Sequence, residues 1–190
     1  MEITRMAFAA NMLINQVVQV KKGENVVIVT DTNRPPIITQ ALAYSALSAG
    51  GEVVVVKMEP QEIGGEEPPA PVAAAMAAAQ VVINQSSFSL THTASVREAM
   101  KKGARVANLR NVTEEMMVSG GITADYHQVR RTTEKLAALL SNADEIHLTT
   151  PEGTDLTMRS RGRKAIAQSG FVTQPGVLSG LPDGEATLAP

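Results

Sequence analysis

The stretch NVVIVT at residues 25–30 decides the fold expected for this chain. It is an unbroken, mostly β-branched run, as in strands that are buried on both faces. A segment rich in Ala and Leu runs from Ile37 to Ala49 and stops at two glycines, as a helix does, and VVVV follows at residues 53–56. Strand, helix and strand at this spacing form a crossover unit, which is right-handed and parallel in nearly all cases. The sequence therefore predicts an α/β fold with a wound parallel sheet and flanking helices.

The same alternation extends on both sides of this unit. An apolar stripe at helical spacing precedes it and predicts a packing helix that ends near Gly23. Two further strands are predicted at residues 81–83 and 104–109, with a helix centred on residues 96–100 between them. A short helix is expected at 114–118, and then an amphipathic helix that ends near Asn142. We expect residues 1–142 to form an amino-terminal α/β domain.

The pattern changes after Asn142. Residues 145–148 and 155–158 flank the turn Pro151–Gly153, which is typical of an antiparallel hairpin. The final run, residues 186–190, resembles a strand without a partner. Antiparallel elements of this size need more strands or a covering helix to be stable. Residues 143–190 are therefore expected to begin a truncated, mostly antiparallel second domain.

Composition excludes several classes of function. Lys and Arg number 17 against 19 Asp and Glu, for a net charge of −2, so no bulk attraction to nucleic acid or to an anionic membrane is expected. There is no cysteine, which excludes disulfides and thiol nucleophiles and fits a reducing compartment. The first residues lack the pattern of a signal peptide. We expect a cytoplasmic protein.

The motifs of nucleotide and metal enzymes are missing. No Gly-x-Gly-x-x-Gly follows the first strand and no Gly-Lys-Ser/Thr occurs. The histidines, His92, His127 and His147, stand apart, without the spacing that places two ligands on one helix face. No metal ion or other cofactor is therefore expected to bind within this segment alone.

Three places carry candidate site residues. The third strand ends in NQSSFSLTHT at residues 84–93, where His92 and its neighbours favour either the rim of a site for a small polar ligand or partner, or the cap of a helix at Ser95–Glu98. Asp155 follows a turn, where it would orient a ligand or metal, or cap the turn. Asp183 and Glu185 flank Gly184, which suits a hard cation if other ligands arrive from elsewhere. Alone, this segment would be a surface turn.

Five strings together resemble one family, the aminopeptidase T and aminopeptidase S metallopeptidases and their leucyl aminopeptidase-like relatives. They are KGENV at 22–26, SLTHT at 89–93, GITADY at 121–126, GTDLT at 153–157 and LPDGE at 181–185. The resemblance implies an amino-terminal α/β domain joined to a carboxy-terminal domain that holds two divalent cations of the zinc or cobalt type. It implies that Glu185 is a metal ligand, that the full-length protein is a homodimer, and that peptides are the substrates.

The resemblance leaves three functions open. The first is the amino-terminal part of a metal-dependent aminopeptidase-like hydrolase, inactive as this segment, whose cations would lower the pKa of a bridging water. Some relatives resemble instead a mononuclear-iron enzyme that opens dihydroxypyridine rings. The third is a non-catalytic binding or assembly module, in which the loop from Ser86 to Thr93 meets a partner.

Overall fold

A computed structural model describes residues 2–189, the side chains of residues 2, 3 and 5 excepted. In chain order, its strands are β1 (Asn25–Asp31), β2 (Glu52–Met58), β3 (Val81–Gln85), β4 (Arg105–Asn108), β5 (Glu145–Thr149), β6 (Asp155–Arg159), β7 (Ile166–Gln168), β8 (Leu178–Gly180) and β9 (Glu185–Thr187). Its α-helices are α1 (Glu2–Met12), α2 (Pro36–Ser48), α3 (Ala70–Ala77), α4 (Ala94–Lys101) and α5 (Tyr126–Asn142).

Five parallel strands form the main sheet, in the order β2-β1-β3-β4-β8. β1 lies between β2 and β3, and every residue of it after Asn25 is buried, as its apolar run predicts. Val26 is level with Val53 of β2 on one side and with Val81 of β3 on the other. The predicted wound parallel sheet with flanking helices is therefore confirmed.

Two predicted helices differ from those observed. The first continues from α1 through a π-helical segment, Leu13–Val18, and ends there because Gln19 takes a left-handed conformation with φ of 55°. The helix predicted at 114–118 is wrong, since these residues form hydrogen-bonded turns. Ser119 and Gly120 follow at once, and so short a run cannot offset the cost of helix nucleation.

The carboxy-terminal region contains two strands, β7 and β8, that the sequence did not reveal. β8 has three residues and forms the fifth strand of the main sheet beside β4. β9 pairs antiparallel with β7, so the prediction of a terminal strand without a partner is wrong. Pro190, the end of that predicted run, lies outside the described residues. The homodimer stays a prediction, without support from an unpaired terminal strand.

The chain divides into two compact units. The first comprises Met1–Ala124 and Phe171–Pro182 and contains the parallel sheet, whose buried core includes Ile28, Ile83 and Leu90. The second comprises Asp125–Gly170 and Asp183–Pro190 and contains α5, the predicted hairpin β5–β6, and the pair β7–β9. This division differs from the boundary expected after Asn142, because α5 packs against β7 and β9.

In the described part of the chain, the helices are all too short or too polar to cross a membrane.

Candidate functional site

The strand order places a switch point between β1 and β3. The connection that leaves β1 leads to β2 on one side, and the chain then returns to β3 on the other side. Ligands of open parallel sheets bind at the carboxyl ends of the strands next to such a point. Here Asp31, the last residue of β1, accepts hydrogen bonds from the backbone N–H and the hydroxyl of Ser87, the latter at 3.0 Å. These bonds tie the two strand ends together.

Two buried asparagines continue the polar edge toward β4. Asn84 donates its side-chain amide to Asn108 Oδ1 at 3.0 Å, and Asn108 donates in turn to Ser89 Oγ at 2.7 Å and to Thr91 Oγ1 at 2.5 Å. Ser86 Oγ lies 2.6 Å from Asn84 Oδ1. The polar loop after β3 is thus held to the strand ends by side-chain amides.

A pocket of about 310 Å³ opens beside this network, at the ends of β4 and β8. We call it the polar pocket, and its lining residues are Ser89, Asn108, Arg110, Met116, Gly180, Leu181 and Pro182. It combines a hydroxyl, a carboxamide and the exposed guanidinium of Arg110 with the apolar surface of Met116. Such a lining suits a small polar or anionic ligand with an apolar body.

Sequence reasoning missed the residues of the polar pocket at the end of β4. Asn108 and Arg110 stand at the end of a predicted strand, so the rule that parallel strand ends meet at one edge would have pointed to them. Gly180 to Pro182 had no such signal, because β8 itself was not predicted.

His92 is exposed, and its backbone carbonyl accepts a hydrogen bond of 2.7 Å from Arg97. The polar pocket does not include it in its lining. The adjacent Thr93 caps α4 by accepting from the N–H of Val96 at 3.2 Å, so the helix begins earlier than the expected cap at Ser95. Glu67 also accepts from the N–H groups of Ala94 and Ser95. A role for His92 at a site rim stays a prediction.

Asp155 lies on the hairpin of the second unit. Its carboxylate is 2.7 Å from Nε2 of His147, and both side chains are mostly exposed, at 76% and 56%. Backbone hydrogen bonds between Thr150 and Thr154 close the turn, so Asp155 does not cap it. Strand pairing brings His147 and Asp155 to one face, which two isolated residues in the sequence did not indicate.

Glu185 begins β9 and is exposed. It accepts a hydrogen bond of 2.5 Å from the hydroxyl of Thr187 and is level with Gln168 of β7. Among the side chains that the structure describes, no three His, Asp or Glu lie together in a way that would hold a metal ion. Glu185 can therefore offer one ligand, and the described residues alone do not fit a complete metal centre.

Two of the strings that carry the family resemblance lie together. In the first unit, Gly121 packs on Pro182, and a Cβ added to Gly121 would lie 3.0 Å from the proline ring. In the second unit, burial raises the pKa of Tyr126, and the nearby carboxylate of Asp183 raises it further. Each interaction relates a residue of GITADY to a residue of LPDGE.

Comparisons with known proteins support a distant common fold. The structure matches the 2,5-dihydroxypyridine dioxygenase of Pseudomonas putida KT2440 with a TM-score of 0.75 at 16% identity, covering 96% of this chain and 55% of that one. It matches AmpT from Thermus thermophilus with a TM-score of 0.60 at 16% identity, covering 94% and 59% respectively. The chain thus spans a little over half the length of either structure.

Sequence comparison narrows the family. No curated protein sequence matches the chain at a significant level. The family model described as NicX, 2,5-dihydroxypyridine 5,6-dioxygenase, matches residues 7–190, which is nearly the whole chain. The family model that matches is therefore that of the ring-opening dioxygenases, and the likeness to aminopeptidase T is one of structure. On this match, the chain belongs to the NicX, or 2,5-dihydroxypyridine 5,6-dioxygenase, family.

Proposed function

We propose that this chain is the amino-terminal part of a metal-dependent dioxygenase that opens a dihydroxypyridine ring. The observation that carries the proposal is the family match over residues 7–190. The match favours the ring-opening alternative over the aminopeptidase hypothesis, although the structures of both enzymes share the fold of this chain. Since the chain covers 55% of the dioxygenase structure, the activity is proposed for the whole enzyme.

In this proposal Glu185 supplies one oxygen ligand to the metal, and the remaining ligands come from outside the described residues. A carboxylate is a suitable ligand for non-haem iron, which is commonly held by two histidines and one carboxylate. Thr187 donates to one oxygen of Glu185 and so orients the carboxylate. Outer partners of this kind tune how tightly a metal is held.

The polar pocket is the surface of this chain that fits the hydroxylated ring. Its volume of about 310 Å³ is enough for one small ring, and Arg110 offers hydrogen bonds to ring hydroxyls beside the wall that Ser89 and Asn108 form through their own hydrogen bonds. Arg110 would also favour the deprotonated, anionic form of such a ring, since a guanidinium binds oxyanions strongly. This chain's own contribution would then be to hold and orient the substrate.

The test uses the protein encoded by the complete gene, supplied with Fe(II) and oxygen. We expect 2,5-dihydroxypyridine to lose its ultraviolet absorption while one O₂ is consumed per ring opened. A parallel assay follows the release of p-nitroaniline from leucine p-nitroanilide. Release of the aniline without oxygen uptake would replace this proposal by the aminopeptidase.

Glu185→Gln tests the assigned ligand. We expect it to lower both the bound iron, measured by elemental analysis, and the rate of ring opening by at least about tenfold, as loss of a metal ligand or its partner does. Glu145→Gln is the matched control, because Glu145 is also an exposed strand residue of the second unit. Iron content that is the same in both variants would exclude Glu185 as a ligand.

A further inference from the structure

A second pocket, of about 230 Å³, lies between α2 and the carboxyl halves of β1 and β2. We call it the apolar pocket. Pro36 and Ala43, seven residues apart and so on one face of α2, form one wall together with the stem of Gln40. Val55 of β2 also lines the pocket and is 46% exposed. The pocket shares no lining residue with the polar pocket.

Two cations stand at the apolar pocket, Arg34 and Lys57. Arg34 donates through Nη1 to Asn111 Oδ1 at 2.7 Å, but its Nε is buried and has no hydrogen-bond partner. Neither side chain forms a salt bridge within the part of the chain that the structure describes. A buried N–H of a guanidinium without an acceptor is costly, and an oxyanion beside it would remove that cost.

Three other polar residues of this pocket, Thr30, Asp31 and Thr39, already have partners. Asp31 accepts from Ser87 and from the N–H of Asn33 at 3.0 Å, so its carboxylate is satisfied by protein donors. Thr39 donates to Gln85 Oε1 at 2.5 Å, and Thr30 donates to the same oxygen at 3.0 Å. Arg34 and Lys57 are positive and Asp31 is negative, so the residues that line the pocket have a net charge of +1.

We propose that the apolar pocket binds a small monocarboxylate with an apolar ring or branched body. The carboxylate would pair with the guanidinium of Arg34 and with Lys57, and the body would cover Val55, Ala43 and Pro36. A dry cavity of about 150 Å³ is enough for benzene, so 230 Å³ leaves room for a ring with its carboxylate. One negative charge matches the net charge of the lining.

Sodium benzoate is the probe, and its affinity is measured by calorimetry and by the NMR shifts of backbone amides in residues 30–57. Acetate keeps the charge without the ring, and benzyl alcohol keeps the ring without the charge. We expect benzoate to bind about tenfold or more tightly than either one, since a hydrogen bond to a charged group is worth that much against benzyl alcohol. Burial of the ring contributes at least as much against acetate. Equal binding of acetate or inorganic phosphate would show a non-specific anion site and overturn the proposal.

Two variants locate the binding. Arg34→Met keeps the aliphatic stem and should weaken benzoate about tenfold or more, and Ala43→Leu should abolish binding by filling the pocket. Lys101→Met, an exposed cation on α4, is the control and should change nothing. Circular dichroism checks each fold, and Arg34→Lys replaces Arg34→Met if the latter unfolds. Benzoate affinity that is unchanged in a folded Ala43→Leu protein would show that the ligand binds elsewhere.

Discussion

Gly121 lies so close to Pro182 that a Cβ built on the glycine would be 3.0 Å from the proline Cβ and 3.1 Å from its Cγ. Such distances are shorter than nine in ten real Cβ contacts, so a side chain at Gly121 requires the proline to shift by a few tenths of an ångström. The contact joins the turn that precedes α5 to the last residue of the first unit. It therefore explains why glycine and proline stand at these two positions.

Gly121→Ala is expected to destabilise the protein by about 1–3 kcal/mol, the usual cost of overpacking. Urea unfolding followed by circular dichroism measures the change. Gly64→Ala is the control, because a Cβ at Gly64 would meet no atom within 4 Å. Equal stability of both variants would show that residues 181–182 can move aside without lowering the free energy of unfolding.

Arg105→Met should lower the free energy of unfolding by about 3 kcal/mol or more, because it leaves a buried carboxylate without its partner. Arg105 pairs with Glu24 at 2.7 Å, and the two side chains are only 5% and 17% exposed. Arg161→Met is the matched control, since the pair Arg161–Asp144 is 80% and 66% exposed and should contribute about 1 kcal/mol or less. A similar loss in both variants would contradict this assignment.

Glu67→Gln should destabilise the protein at neutral pH and progressively less as the solution is acidified. The hydroxyl of Ser95 and the N–H of Ala94 hold the pKa of Glu67 below its ordinary value. A lowered pKa in the folded state means that the stabilisation is present above the unfolded pKa and is lost as pH falls through the folded one. Melting temperatures of wild type and variant across this range test the sign, with exposed Glu114→Gln as control. A difference that grows on acidification would contradict the assignment.

Asn108→Leu should cost about 1–3 kcal/mol, because it leaves the buried amide of Asn84 without an acceptor. It should also release the loop after β3, whose Ser89 and Thr91 accept from Asn108. Hydrogen exchange of residues 86–93 is therefore expected to become faster. Asn142→Leu, at an exposed position of α5, should alter neither quantity. Unchanged exchange in Asn108→Leu would show that the loop is held by other bonds.

Long apolar runs made the centre of the fold predictable. β1 and β2 each carry four or more residues with β propensity and β3 carries three, and such runs indicate a buried strand without any knowledge of its neighbours. β7 and β8 are three residues long, and each lies beside a partner strand, β9 and β4 respectively. The partner strand is remote in sequence, so the local pattern of residues does not predict a strand there.

The candidate site was predictable only in part, for a related reason. Polar residues after β3 pointed to the correct edge of the sheet, but the polar pocket is completed by residues that follow β8. The separation of His147 from Asp155 likewise hid their contact, which depends on the register of the hairpin. The prediction that Glu185 is a metal ligand rested on the family resemblance, since an isolated carboxylate on a short strand does not by itself indicate a metal site.

The position of β8 in the sequence determines when the main sheet can be completed during synthesis of the protein. The first unit takes its fifth strand from residues 178–180, so a nascent chain that has released only residues 1–142 exposes the backbone of β4 as an open edge. The 46 residues from Asp125 to Gly170 must leave the ribosome before that edge can be covered. Until then the half-made sheet can pair with another nascent chain, and a chaperone would have most to protect in this interval.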